Sequence, residues 1–515
     1  MFFKRKRMKD LPKDNIKQEQ NFNDINLEED LDKNISVFKN VFKDDDTIIF
    51  RRFENQHNNL IKLCIIFVDG MINSEIVNEN IIQPIVNSNR LINENTIVDT
   101  LFNQIIVSNN IEKTRSFSKL FSSIVNGDTI LLTEGAAEAL IISSKGWQTR
   151  AIEEPETEKA LRGPREGFTE SIMVNLSLLR RKLKTTELKF KFRTIGVRSN
   201  TKVCVCYING IANNNILKEL NKRLDAINID GILDSGYIQE IIRDRPFTLF
   251  KTLGSTERPD TVAGKLLEGR IAILVDGSPT AITLPSIFIE QFQTNEDYYI
   301  NFYFSSIGRF LRIAAFLITI SLPAIYVALV TFHQEMIPTP LIINISASRE
   351  GVPFPTIVEA LGMLFVFELL RETGMRMPTF MGQALSIVGA LVVGQAAVDA
   401  KFISAPMVII IALTGITGIM LPKVKGSIII IRLMLLLLVG FLGIYGYVFG
   451  MAGLLIHLLQ LRTFGIPYMY KLMQVDPLEE LKDTVIRAPW WYMKYRQNLI
   501  SSNIIRNKTD RSNIK

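Results

Sequence analysis

The chain has 515 residues, 47% of them hydrophobic, a net charge of +7 and three cysteines. These values exclude a disordered polymer, a collagen-like fibre and a disulfide scaffold, and at about 100–200 residues per domain they allow several domains. The average hides a division: residues 1–300 are rich in Asn, Asp, Glu and Lys, whereas 310–462 are almost continuously apolar.

Residues 1–45 alternate charges and amides and read as a disordered cytoplasmic tail. The basic start MFFKRKRMKD has no apolar region behind it, so no signal peptide is expected. Residues 46–150 carry the β-like runs IKLCIIFVDG and DTILLTEG, each ending in an acid followed by Gly. KVCVCYING and RIAILVDG repeat that grammar, and Gly accepts the positive φ of a sharp turn. Gly70 and Gly210 stand 140 residues apart, Gly135 and Gly277 142. The spacing predicts two related α/β subdomains, 46–150 and 185–300, from an internal duplication. Cys204 and Cys206 share one face of a strand, which suits buried thiols like Cys64 and not a zinc site or redox pair. His57, His333 and His457 are not spaced as ligands, so no metal or other cofactor is expected.

Residues 151–184 read as a linker and a helix. Arg162, Gly163, Pro164, Arg165, Glu166 and Gly167 set charges on a stiffened, turned backbone, as an inter-subunit contact or a salt-bridged linker would. Phe168, Ile172, Leu176, Leu179 and Leu183 then recur at helical spacing, with Arg180, Arg181, Lys182 and Lys184 near the end, where cations suit the helix dipole. GSTERPDTVAGKLLEG is not a phosphate loop, because Gly264-Lys265 is followed by Leu and lacks the upstream Gly. With no GxSxG, HExxH or GxGxxG either, the chain does not read as an enzyme.

Residues 301–465 read as an all-α polytopic membrane domain of five or six segments. Tyr298, Tyr299, Phe302, Tyr303 and Phe304 suit an interfacial belt, and Arg309 and Arg312 mark the start of a 23-residue apolar run, 310–332, containing Pro323. That run is long enough to cross ~30 Å of hydrocarbon. Then come 352–370 with Glu359 and Glu368, 379–398, 404–422, and the 35-residue run 427–461. One helix of that last length would reach ~52 Å, too long for one crossing, so its Gly-rich centre is expected to turn. The basic connections RETGMRM and PKVKGS, and the basic, aromatic tail 466–515, place both termini on the cytoplasmic side. Gly382, Ser386, Ala390 and Gly394 form a small-residue stripe for close packing, within the bundle or between copies. Glu359 and Glu368 are costly in lipid and must face protein or water. They either pair, for example with Arg371, or form a carboxylate ring that attracts cations.

The segments EEPETEKALRGPREGFTESIMVNLSLLRRKL, LLEGRIAILVDGSPTAITLP, EDYY, PFPTIVEALGMLFVFELLRETGMRMP and GQALSIVGALVVGQAAV together resemble the GerA-type spore germinant receptor A subunit. The resemblance covers roughly residues 47–490. It implies the inner spore membrane of an endospore former and two partners, a transporter-like, nutrient-recognising B subunit and a lipoprotein C subunit. It also implies a homo-oligomeric ring of A subunits that conducts ions, releasing monovalent cations to start germination. No nucleic-acid partner is implied. In such a ring Ile387, Val388, Leu391 and Val392 are candidates for a gate that closes by excluding water. A sporulation AF-type paralogue that amplifies germination shares this architecture. A secondary transporter is the reading from another class; the visible duplication lies in the soluble half, which argues against it.

Overall fold

A computed structural model describes residues 26–58, 61–89, 97–146, 154–155, 158, 160, 162–376, 392–470, 482–493, 495–497, 499–503 and 505–506. Its first helix is one that composition hides. Helix α1 (Leu31–Val41) buries Leu31, Ile35 and Phe38, and the Asp30 side chain caps it by accepting from the Asp32 and Lys33 amides. The expectation of a disordered tail through residue 45 is therefore corrected for 26–45. A few apolar side chains at helical spacing hold a polar segment once a core receives them. Here that core includes Phe117 and Phe121, whose rings lie 5.5 and 5.1 Å from Phe38.

Strands β1 (Ile48–Glu54), β2 (Lys62–Val68), β3 (Ile111–Thr114), β4 (Thr129–Thr133) and β5 (Ala139–Ile142) form an antiparallel sheet in the order β1-β2-β4-β5-β3. Helix α2 (Phe117–Val125) lies between β3 and β4 in the chain. After α3 (Ile172–Lys182) the pattern returns. Strands β6 (Leu188–Ile195), β7 (Thr201–Ile208), β8 (Gly254–Thr256), β9 (Ile271–Val275) and β10 (Ala281–Leu284) pair antiparallel in the order β6-β7-β9-β10-β8. The two sheets agree strand for strand. Helix α4 (Asn214–Asp225) follows β7, and α5 (Pro259–Leu267) precedes β9 as α2 precedes β4. The strand-ending Gly70, Gly135, Gly210 and Gly277 all have φ between 76 and 84°, which explains why Gly stands there.

Alternation within each strand serves two layers of helix. In β2, Cys64, Ile66 and Val68 pack towards α1 and α2, while Leu63 and Ile65 face the helical turns at 76–87 and 97–105. In β7, Cys204 and Cys206 pack towards α3 and α5, and Val203 and Val205 towards α4. That last core continues through Phe250, Phe288 and Phe292 into Phe316 and Ile320 of the apolar helices. The second unit therefore seats the head on the helical region. The two units meet where residues 42–47 cover the β6 edge: the Asp46 amide donates to the Phe190 carbonyl at 2.9 Å, and Lys189 Nζ donates to the Val41 carbonyl at 2.8 Å. Arg180, fully buried, binds Asp45 at 2.5 Å and stacks 4.6 Å from the Phe190 ring centroid.

The helical region comprises α6 (Phe302–Thr331), α7 (Thr339–Arg349), α8 (Thr356–Arg376), a helical stretch at 392–399, α9 (Ala405–Ile419), α10 (Lys425–Leu442) and α11 (Ile444–Gln460). Among the described residues, helices Phe302–Thr331 and Pro422–Leu442 are long and apolar enough to cross a bilayer, and α9 and α11 are shorter apolar helices. The long final run is two helices. It breaks at Gly443, whose φ of 60° and ψ of −141° suit glycine alone. Gly446 then lies against the Leu438 carbonyl and Gly450 against the Leu435 side chain, so α10 and α11 run back along each other.

After α11 the chain returns to the head. The hairpin of β11 (Arg462–Thr463) and β12 (Ile466–Pro467) leads to Tyr468, whose carbonyl accepts from the Phe288 amide at 3.0 Å. Further on, the Ser502 amide donates to the Ile211 carbonyl at 2.8 Å, and Ile500 is buried. These described residues of the C-terminal tail dock on the second α/β unit, because apolar side chains such as Tyr468 and Ile500 find a core there.

Candidate functional site

Charge concentrates where the head meets α6. A 3-10 turn at Asn295–Tyr298 precedes the helix, closed by a reciprocal cap between Thr294 and Asp297. Three residues apart on the first turns of α6, Arg309 and Arg312 both reach back to Asp297. Arg309 Nε donates to it at 3.0 Å and Arg312 Nη2 at 2.8 Å. Arg309 Nη1 donates to Asp483 at 2.9 Å and to the Thr484 carbonyl at 3.1 Å, binding in the C-terminal segment. The side chains of Arg309 and Asp297 are fully buried. Tyr298 donates its hydroxyl to both Asp483 oxygens at 3.0 Å and lies under the Arg309 guanidinium, 5.3 Å away. Burial, the largest influence, pushes the Asp297 carboxyl up, but Arg312 and Arg309 together hold it below the usual aspartate value. Burial and the adjacent Asp483 push the Tyr298 phenol up. Around this node Tyr298 packs on Trp490 at 5.9 Å and Phe302 on Trp491 at 6.3 Å. Sequence reasoning marked Arg309, Arg312 and Tyr298 as membrane-flanking residues but missed the network. The pair of arginines three apart was its only local signal.

The linker feeds the same region. A Cβ on Gly163 would lie 2.7 Å from the Tyr299 ring, so only glycine lets the two meet. The Pro164 carbonyl accepts from Arg258 at 2.6 Å. Arg258 also pairs with Asp260 at 3.0 Å, and Asp260 accepts from the Tyr299 hydroxyl at 2.9 Å. Glu166 pairs with Arg181 at 3.4 Å and Lys182 at 2.7 Å, and Gly167 is buried. Arg162 and Arg165 are exposed, the latter 3.9 Å from Glu154. The linker is thus tied down through Gly163, Pro164 and Glu166, while its two arginines face outward.

Glu359 is buried and accepts from the Ser404 amide and hydroxyl at 2.9 and 2.8 Å and from Arg349 at 3.3 Å. Glu368 pairs with Arg432 at 2.7 Å and also with Arg371. Both carboxylates therefore tie helices together within one chain. Of the stripe and gate candidates, Gly382, Ser386, Ile387, Val388, Ala390 and Leu391 lie outside the described residues. Gly394 faces Val408, with a Cβ position 3.5 Å from its methyl, and Val392 is 56% exposed.

Two like α/β units, the second packed on apolar helices with ion pairs locked at the seam, define a folded head joined to a helical region with two candidate membrane spans. The family described as Bacillus/Clostridium GerA spore germination protein matches residues 36–499. Spore germination protein KA of Bacillus subtilis (strain 168) is 41% identical over 473 residues, 92% of this chain and 87% of that protein. The uncharacterized membrane protein YfkQ of the same organism is 41% identical over 483 residues, 92% of this chain and 91% of that protein. The crystal structure of the N-terminal domain of the A subunit of the Bacillus megaterium spore germinant receptor GerK3 is 32% identical and covers 51% of this chain and 98% of that one, with a TM-score of 0.38. The chain belongs to the GerA spore germination family.

Proposed function

We propose that this chain is the A subunit of a spore germinant receptor in the inner spore membrane, with both ends on the core side. It acts there with a transporter-like B subunit and a lipoprotein C subunit. The observation that carries the reading is the family match, which runs through the head and the apolar helices alike. Copies of the chain assemble around an ion path, and nutrient held by the B subunit biases a closed–open equilibrium. The bias is no larger than the nutrient's differential affinity for the two states. Because Glu359 and Glu368 are engaged inside the chain, the gate is assigned to the apolar segment 379–398, where Ile387, Val388, Leu391 and Val392 close a path by excluding water.

The test replaces each of those four residues with Ala. Potassium retention of dormant spores and germination without nutrient are then measured beside subunit abundance. A residue on the closed constriction, once truncated, raises potassium loss several-fold. Normal dormancy in all four variants at normal abundance removes the gate from this segment.

A further inference from the structure

Residues 243–251, RDRPFTLFK, join the helix Ser235–Ile241 to β8. Phe247 is 98% exposed, although the residues after it are firmly held. Thr248 Oγ1 shares a 3.2 Å hydrogen bond with His457 Nε2 in the last turns of α11. The Leu249 carbonyl accepts from Ser427 Oγ in the first turn of α10. Phe250 is buried, its ring 6.0 Å from Phe288. Pro246, with its fixed φ, stiffens the approach. The loop is therefore a rigid mount that presents Phe247 at the level where α10 and α11 meet the head.

Those two helices carry exposed apolar side chains up to that level: Ile430, Leu433 and Met434 on α10, Leu455 and Ile456 on α11. The loop continues that belt and adds charge. It holds Arg243, Arg245 and Lys251 against one carboxylate, Asp244. Asp244 is itself engaged by Arg223 at 2.6 Å and by the Phe464 amide at 2.6 Å. Arg243, Lys423 and one carboxylate, Glu158, lie within electrostatic range of Lys251. A fully exposed aromatic beside an excess of cations, next to an apolar belt, matches a leaflet of anionic lipid: the ring suits the headgroup–acyl boundary and the cations suit the phosphates.

We propose that the 243–251 loop is a membrane anchor of the head, with Phe247 inserted at the boundary of the head-side leaflet and Arg245 and Lys251 bound to anionic headgroups. The anchor rests on the bilayer placement of α10 and α11 in the proposed function, and the test separates the two. Full-length chain carrying Phe247→Cys is labelled with an environment-sensitive fluorophore; Cys64, Cys204 and Cys206 are buried and stay unlabelled in the folded protein. A second preparation carries the label at Met434→Cys on the α10 belt. Both are reconstituted in phosphatidylcholine vesicles with or without phosphatidylglycerol, containing a lipid-borne nitroxide quencher.

Expected are quenching at both positions in anionic vesicles and weaker quenching at 247 alone without phosphatidylglycerol. Adding Arg245→Gln and Lys251→Gln weakens quenching at 247 in anionic vesicles and leaves 434 unchanged. Quenching at 434 with a water-exposed label at 247, open to iodide, overturns the anchor. A label at 247 shielded from both iodide and lipid quencher also overturns it, and assigns the loop to a protein partner such as a second copy. Loss of lipid quenching at both positions overturns the bilayer placement itself.

Discussion

Asp297 and Arg309 show how much a single residue carries at the seam. Both side chains are fully buried, and removing one member of a buried pair typically costs about 3–5 kcal/mol because the other charge stays behind. Asp297→Asn should therefore lower the unfolding midpoint of the detergent-purified chain markedly. The pH response has a definite sign. The two arginines hold the folded carboxyl below its ordinary value. As pH falls, the unfolded chain binds the proton first, near about 3.9. The contribution of Asp297 is thus whole above that pH and lost as pH drops through the lower folded value. Wild type should lose stability more steeply than Asp297→Asn over that acid range. Equal midpoints and parallel acid profiles would show that the node holds nothing together. The sequence offered Arg309 and Arg312 as neighbours on one helix, but 174 residues separate Arg309 from Asp483, and no local pattern reports a pairing of that span. Glu368 divides the same way: Arg371 is one turn on and was legible, whereas Arg432 comes from another helix.

Elements were legible where a strong period met a hard stop. The strand runs ending in Gly70, Gly135, Gly210 and Gly277 announced both sheets, because an apolar run closed by Gly fits little else. The break in the last apolar run was legible from length alone. Helix α1 was not, since its anchors sit in a segment whose mean composition is that of a tail; only the repeat, which places α1 before β1 as α3 precedes β6, makes sense of it. The break at Gly443 can be tested against a neighbour. A Cβ there would lie 3.0 Å from Phe332, on a backbone that side-chain-bearing residues avoid, so Gly443→Ala should cost about 1–3 kcal/mol. At Gly453, inside α11, a Cβ meets nothing within 4 Å, and Gly453→Ala should be neutral or mildly stabilising, by about 0.5–1 kcal/mol. Thermal unfolding of the two variants side by side checks the difference. Equal loss in both would mean that the hairpin geometry does not depend on Gly443.

At the scale of the whole molecule the head, the linker and the helices converge on one seam. Arg165 stands apart from that seam. Its side chain is 74% exposed and its ion pair with Glu154, at 3.9 Å, is long. Exposed pairs of this kind contribute about 0–1 kcal/mol, so Arg165→Glu should leave the circular dichroism spectrum and unfolding midpoint nearly unchanged. If Arg165 reaches a neighbouring copy, the same variant should reduce the assembled fraction seen by crosslinking in membranes. Intact assembly would place the contact elsewhere, and lost secondary structure would assign Arg165 to internal stability.

The closed seam also sets an order of events during synthesis. Arg309 leaves the ribosome long before Asp483 does: at roughly 5–20 residues per second, the 174 residues between them take on the order of ten seconds or more. Helices α6, α8, α9, α10 and α11 are all translated before the second carboxylate for Arg309 exists. The head and the first helix can therefore fold early, but their joint is fastened last, by the end of the chain. A polypeptide cut short before residue 483 would carry every apolar helix and still expose an incompletely neutralised guanidinium at the joint. Asp297 alone would then balance both Arg309 and Arg312.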